Sequence, residues 1–119
     1  SSIKLYDRSQ GVYSLDIDTK TGNTLSKELI EELVHSLDYV KTLPLLKVLI
    51  LTGTGETFLQ GDREAYNESI TQGLYQSIVS FPYPIIAEMQ GDAMGSGFLL
   101  GALCDFMVCS EDSRYGYTD

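Results

Sequence analysis

The sequence predicts an α/β domain whose strands and helices alternate along the chain in the order ββαβαβαβ. Two strand-sized apolar runs, 46–52 and 84–89, are each followed by a glycine-containing loop and then by a segment compatible with a helix. With 119 residues, 43% of them hydrophobic, the chain is long enough to bury a core. Neither an internal repeat nor a linker-like stretch divides it, so we assign residues 1–119 to one domain.

The first elements are predicted to be a β-hairpin and an amphipathic helix. Residues 3–7 and 12–17 alternate apolar and polar side chains, and Gln10-Gly11 between them favours a tight turn. Ser26 is a suitable N-cap for a helix that cannot continue through Pro44. The apolar stripe of this helix is formed by Ile30, Leu33, Leu37 and Val40.

Segment 89–100 joins strand 84–89 to an apolar helix through a loop of small residues. Gly91, Gly95 and Gly97 permit backbone conformations and close approaches that a larger side chain would block. A helix that starts near Gly95 leaves its first N–H groups without intrahelical partners, at the positive end of the helix dipole. These groups are suited to hold a developing negative oxygen. A glycine-rich turn that serves only strand-to-helix packing is the alternative interpretation.

A second corner of this type occurs earlier in the chain. Strand 46–52 is broken by Gly53-Thr54-Gly55, and segment 58–62 is a short apolar run that ends at a glycine. Two such corners can offer two backbone N–H donors to one oxygen. A pair of this kind stabilises the enolate of an acyl thioester, because negative charge builds on the carbonyl oxygen when the α-carbon loses a proton, a carboxylate or an acyl group.

The chain contains, in this order, the segments KVLILTG and GETFLQGD, then YPIIAEMQGDAMGSGF, then CDFMVCSEDSRYGYTD. This order resembles the first half of the crotonase superfamily, also called the enoyl-CoA hydratase/isomerase family, from about Ile3 to Asp119. The resemblance implies a crotonase-like spiral of ββα units, of which this chain forms the N-terminal half only. It further implies a homotrimer or hexamer once a C-terminal half completes the fold.

The resemblance also assigns the residues that would carry out the chemistry. The two backbone N–H donors of the family fall on Gln60 and Ser96. Its two acid positions fall on Leu99 and Asp119, so the first acid is lost and the second is kept as a shorter carboxylate. Tyr66, on a segment that faces the substrate in the family, is a further candidate for proton transfer. A solvated helix face is its alternative interpretation.

The thioester end of a substrate is placed by the same resemblance on the first corner. The candidate contacts are Leu59, Gly61, Asp62 and Arg63. Asp62 has a second interpretation as a turn and helix-cap residue. The substrate would be an acyl-CoA or an acyl-carrier-protein thioester, carried on CoA or phosphopantetheine, and no tightly bound cofactor is expected. No metal site is predicted, because the carboxylates and the single histidine, His35, show no ligand spacing.

Loss of the acid at Leu99 bears on the type of reaction. By this resemblance, a hydratase of the family uses two carboxylates, one to activate the water and one to transfer the α-proton. A leucine side chain can serve neither role. One remaining acid fits an enoyl isomerase or a decarboxylase. Segments 23–29 and 88–98 resemble the decarboxylases of polyketide β-branching, so we predict decarboxylation of a glutaconyl-type thioester. The alternatives are an enoyl-CoA isomerase or hydratase-like fatty-acyl enzyme, and a truncated, non-catalytic interaction module.

Composition limits the class of partner. The formal charge of −9 argues against binding to nucleic acid. No apolar run approaches the roughly 20 residues of a membrane-spanning helix, and no secretory signal is visible, so a cytoplasmic location is expected. Cys104 and Cys109 flank or lie in an apolar strand and are predicted to be small buried residues of a reducing compartment.

Overall fold

The computed structural model describes residues 2–20 and 22–117, and the predicted α/β class is confirmed. The observed order is ββαββααββαββ, so the predicted order ββαβαβαβ missed three strands and the division of one helix into two. The strands are β1 (Ile3–Asp7), β2 (Val12–Ile17), β3 (Val48–Gly53), β4 (Thr57–Gly61), β5 (Ile85–Met89), β6 (Asp92–Gly95), β7 (Phe106–Cys109) and β8 (Tyr115–Gly116). The helices are α1 (Lys27–Val40), α2 (Arg63–Gln72), α3 (Leu74–Val79) and α4 (Ser96–Ala102).

A five-stranded sheet of order β1-β2-β3-β5-β7 forms the main layer. Strands β1 and β2 pair antiparallel as the predicted hairpin, whereas the remaining neighbours in this sheet pair in parallel. Leu15 lies opposite Leu51, and Leu51 lies opposite Ala87, and all three are buried in the core. Burial of the central strands explains why their sequences are rich in aliphatic residues.

Helix α1 packs its predicted apolar face into this core. The Ser26 hydroxyl accepts a hydrogen bond from the Leu29 N–H at 3.1 Å, which caps the first turn as expected. The buried residues of the helix are Leu29, Ile30, Leu33, Leu37 and Val40. The sequence thus predicted both the start of this helix and its buried face.

A second, three-stranded sheet of order β4-β6-β8 was not predicted. Segment 92–95 was expected to be part of a loop, but it forms strand β6, with Ala93 fully buried. Strand β6 pairs in parallel with β4 and places Gly61 opposite Gly95. The two glycine corners are therefore neighbours, and α2 and α4 begin beside each other.

The two cysteines have different environments. Cys104 is half-buried, its thiol donates to the Leu100 carbonyl at 3.5 Å, and burial, with a smaller contribution from Asp105, raises its pKa to about 12. Cys109 is exposed, so its predicted burial is wrong. The reason is that β7 lies at the edge of the main sheet and all four of its residues are exposed. Within the described residues, no helix combines the length and the apolar character needed to cross a membrane.

Candidate active site

A cavity of about 320 Å³ lies where α2 and α4 begin, and we call it the α2–α4 cavity. Its position follows from the pairing of β4 with β6, since each strand leads directly into one of these helices. The cavity is lined by Gly61, Asp62, Arg63, Tyr66, Asn67, Gly95, Ser96, Leu99 and Tyr117. Both predicted corners therefore contribute to one site.

Ser96, the second N–H donor according to the resemblance, is the first residue of α4 and lies in the cavity wall. A first-turn N–H has no intrahelical acceptor, and it lies at the positive end of the helix dipole. The Ser96 hydroxyl donates to the Asp62 carbonyl at 3.3 Å and so links α4 to the start of α2. Gly97 lies directly against β4, where a Cβ would overlap the backbone of Leu59 and Gln60.

Gln60, the first N–H donor according to the resemblance, lies outside the described cavity lining. Its backbone N–H donates to the Asn23 carbonyl at 3.2 Å, and its carbonyl accepts from the Leu25 N–H. Its side-chain amide donates to the Thr24 hydroxyl at 3.1 Å, and Gln60 is absent from the cavity lining. The Gln60 N–H is thus used by the bridge between β4 and Thr24, and this favours another backbone group as the first donor to the cavity.

Asp62, two residues later, is the residue that faces the cavity. Its carboxylate accepts the Ala65 N–H at 2.9 Å, which confirms the interpretation as a helix cap. Its own N–H donates to no acceptor within residues 2–20 and 22–117. Sequence reasoning missed this backbone group, although the cap pattern that marks Asp62 as the helix boundary was visible.

The predicted thioester contacts divide into two groups. Gly61, Asp62 and Arg63 line the α2–α4 cavity, and Arg63 is exposed at its mouth. Leu59 is fully buried in the hydrophobic core and is not part of the lining. The Leu59 side chain therefore packs in the core, away from the described cavity wall, while its backbone lies against Gly97.

Tyr66 and Leu99 both lie in the cavity wall. Tyr66 is 41% exposed, and its N–H donates to the Asp62 carbonyl at 3.0 Å, so its ring stands one helical turn from the cap. Leu99 presents an apolar side chain at the position where the resemblance places an acid in the family. Asp119, the other acid position, lies outside the described residues. Tyr117 completes this side of the wall and packs edge-on against Phe98, at 5.1 Å between ring centroids.

Tyr75 lies behind the wall and was not singled out from the sequence. Its ring centroid is 5.8 Å from that of Tyr66. Its hydroxyl is buried and has no hydrogen-bond partner among the described residues. Burial is the largest cause that raises the pKa of this phenol. No sequence signal marks it, because its burial depends on how α3 packs beneath α2.

The chain is similar in sequence and in structure to proteins named as decarboxylases and as enoyl-CoA hydratases. The bacillaene synthase decarboxylase PksI of Bacillus subtilis is 28% identical over an alignment that covers 99% of this chain and 54% of that protein. The crystal structure of the ECH2 decarboxylase domain of CurF from Lyngbya majuscula is 34% identical, with a TM-score of 0.82 over 94% of this chain and 49% of that one.

A third match is a structure from a dehydratase/decarboxylase enzyme couple involved in polyketide β-branching. It is 29% identical, with a TM-score of 0.81 over 95% of this chain and 50% of that one. Enoyl-CoA hydratases from several bacteria match as well. The chain spans about half the length of the curated relatives it matches. The family profile described as enoyl-CoA hydratase/isomerase matches residues 7–119, and the chain therefore belongs to this family, the crotonase superfamily.

Proposed function

We propose that this protein decarboxylates a glutaconyl-type acyl thioester of polyketide β-branching. The observation that carries the proposal is that Leu99 lines the α2–α4 cavity, because the resemblance places an acid of the hydratases at this residue. Among the described lining residues the single carboxylate is that of Asp62, and it caps α2 by accepting the Ala65 N–H. A decarboxylase needs no carboxylate to start its reaction, because loss of carbon dioxide itself produces the enolate.

The electrons move as follows in the proposed reaction. The bond between the substrate carboxylate and its neighbouring carbon breaks, and its electron pair passes through the double bond to the thioester oxygen. Carbon dioxide leaves, and a dienolate remains. The N–H groups of Asp62 and Ser96, at the starts of α2 and α4, are the proposed donors to that oxygen. One such donor contributes about 100-fold to 1,000-fold in turnover.

The dienolate must then regain a proton on carbon. Tyr66 is the proposed source, because its side chain lines the cavity one turn beyond the cap at Asp62. A phenol can donate a proton and be reprotonated by solvent at a partly exposed site. Asp119, which follows Tyr117 by two residues in the sequence, is the alternative proton carrier from the family pattern.

Arg63 is the proposed contact for the anionic parts of the substrate. A chain with a formal charge of −9 repels an acyl-CoA, a phosphopantetheine thioester or a free carboxylate unless a local cation compensates. Arg63 supplies such a charge within the cavity lining. Its guanidinium has the donor geometry for a carboxylate or a phosphate. CoA and phosphopantetheine are both compatible with this contact.

The matched decarboxylases support this type of reaction, and the matched hydratases make simple hydration the competing function. Crotonyl-CoA offered to the full-length protein separates the two. We expect its enoyl absorbance to stay constant, since the described part of the cavity lining holds one carboxylate, the helix cap Asp62, rather than the pair that would activate water and handle the α-proton. Rapid loss of that absorbance would contradict the proposal and indicate a hydratase.

A 3-enoyl thioester is the matched control for the isomerase alternative. An unchanged mass with a shifted double bond would indicate migration of the double bond rather than decarboxylation. Absence of any turnover or binding with all of these thioesters would favour the non-catalytic interaction module.

A further inference from the structure

A half-buried tyrosine whose hydroxyl oxygen is buried lies behind the wall of the α2–α4 cavity and has no role in the chemistry proposed above. Tyr75, on α3, packs its ring against Tyr66, which lines the cavity. The Tyr75 hydroxyl lies beside the hydroxyls of Ser69 and Ser96, yet it forms no hydrogen bond of standard geometry within the described residues. It is therefore a buried donor that lies near two possible acceptors without bonding either in hydrogen-bond geometry.

Such a hydroxyl reduces the stability of the folded protein. Burial removes its hydrogen bonds to water, and no hydrogen bond of standard geometry within the described residues replaces them. A phenylalanine at the same position would fill the same space without this cost. Buried polar groups without partners are rare in native proteins, and a group of this kind beside a cavity calls for a functional partner.

The neighbouring serines show where an acceptor is available. Ser69 donates its hydroxyl to the Ala65 carbonyl at 2.7 Å, a short bond within α2. Ser96 donates to the Asp62 carbonyl at 3.3 Å, which is long for a hydroxyl donor. Each serine oxygen can still accept a hydrogen bond. Of the two, only Ser96 joins the segments that carry both proposed N–H donors.

The Ser96 hydroxyl that contacts the Asp62 carbonyl also packs tightly against the backbone of Gly61. A Cβ on Gly61 would overlap the Ser96 hydroxyl oxygen, so glycine at this position leaves the room that the serine occupies. A small shift of the Ser96 hydroxyl would therefore change how the start of α4 is held against the start of α2. The spacing of the two N–H donors depends on the same contact.

We propose that Tyr75 is a positioning residue of this site, whose hydroxyl donates to Ser96 Oγ when an acyl thioester occupies the cavity. This inference rests on the proposed function. The bond holds Ser96 against the Asp62 carbonyl and fixes the distance between the two N–H donors as negative charge develops on the thioester oxygen. Tyr75 touches neither the substrate nor the reacting atoms.

Tyr75→Phe in the full-length protein tests this role. We expect kcat to fall about tenfold while KM stays within about twofold, because the bond matters most when charge develops. The melting temperature of the unliganded protein should not fall, since the variant removes a hydroxyl that has no partner there. Tyr39→Phe, on the exposed side of α1, is the matched control and should leave all three quantities unchanged.

A second variant tests the partner. Ser96→Ala removes the proposed acceptor but keeps the backbone N–H, so Tyr75→Phe should add little to the loss that Ser96→Ala already causes. Independent, multiplicative losses in the double variant would overturn the assignment of Ser96 as partner. An unchanged kcat in Tyr75→Phe would overturn the proposal, and so would a loss accompanied by a lower melting temperature, which marks a structural role.

The same experiment separates this inference from the proposed function. Turnover by the wild-type protein with no effect of Tyr75→Phe removes the role of Tyr75 and leaves the proposed function standing. A wild-type protein that neither binds nor turns over a thioester overturns both.

Discussion

Ser96→Pro is expected to lower kcat by about 100-fold or more in the full-length protein, because it removes one of the two N–H donors proposed to stabilise the enolate. Proline is well tolerated at the first position of a helix, so α4 should still form. The measurement is turnover of a thioester substrate, with circular dichroism and melting temperature recorded on the same preparation.

Ser96→Ala is the matched control for this variant. It keeps the N–H and removes only the hydroxyl that contacts the Asp62 carbonyl, so we expect a loss of about tenfold. The difference between proline and alanine isolates the contribution of the backbone donor. Equal activity of the two variants would show that the Ser96 N–H does not stabilise the transition state.

Asn23→Ala is expected to lower the free energy of unfolding by about 3 kcal/mol or more. Asn23 is buried, and its side-chain amide donates to the carbonyls of Thr57 at 2.8 Å and of Ile17 and Thr54 at 3.3 Å. Its side-chain oxygen accepts the Thr19 N–H at 2.9 Å. The residue thus connects the end of β2 with the segment between β3 and β4.

Asn23→Gly is the control that separates side-chain bonds from backbone strain. Asn23 has a φ of 58°, a left-handed conformation that glycine adopts easily and alanine does not. We expect the glycine variant to be the less destabilised of the two by about 1 kcal/mol. Urea unfolding of the three proteins measures both effects. An alanine variant within about 1 kcal/mol of the wild type would show that these bonds contribute little.

Features with a local signal could be predicted from the sequence. The β1–β2 hairpin follows from alternation on both sides of Gln10-Gly11, and α1 follows from a cap at Ser26 and a stripe with helical period. The order of the family motifs predicted that two glycine corners would form one site. Their proximity in the structure depends on the pairing of Gly61 with Gly95 across β4 and β6.

Features that depend on contacts between distant segments could not be predicted. Strand β6 has the composition of a loop, and it forms a strand because β4 and β8 lie on either side of it. Gln60 carries no sign that its N–H is used, since the acceptor is Asn23 on another segment. Only when that bond is known can Gln60 be set aside and Asp62 be identified as the candidate donor on the cavity side of this loop. Tyr75 is hidden from sequence reasoning for the same reason.

The reaction of a 3-methylglutaconyl thioester with the full-length protein tests the central claim most directly. We expect the product to have lost the mass of carbon dioxide and, in heavy water, to have taken up deuterium on carbon. Tyr66→Phe should slow this product formation by about 100-fold if its phenol returns the proton. Full activity of that variant would assign proton transfer to another group. A product of unchanged mass, or one that has gained the mass of water, would contradict decarboxylation.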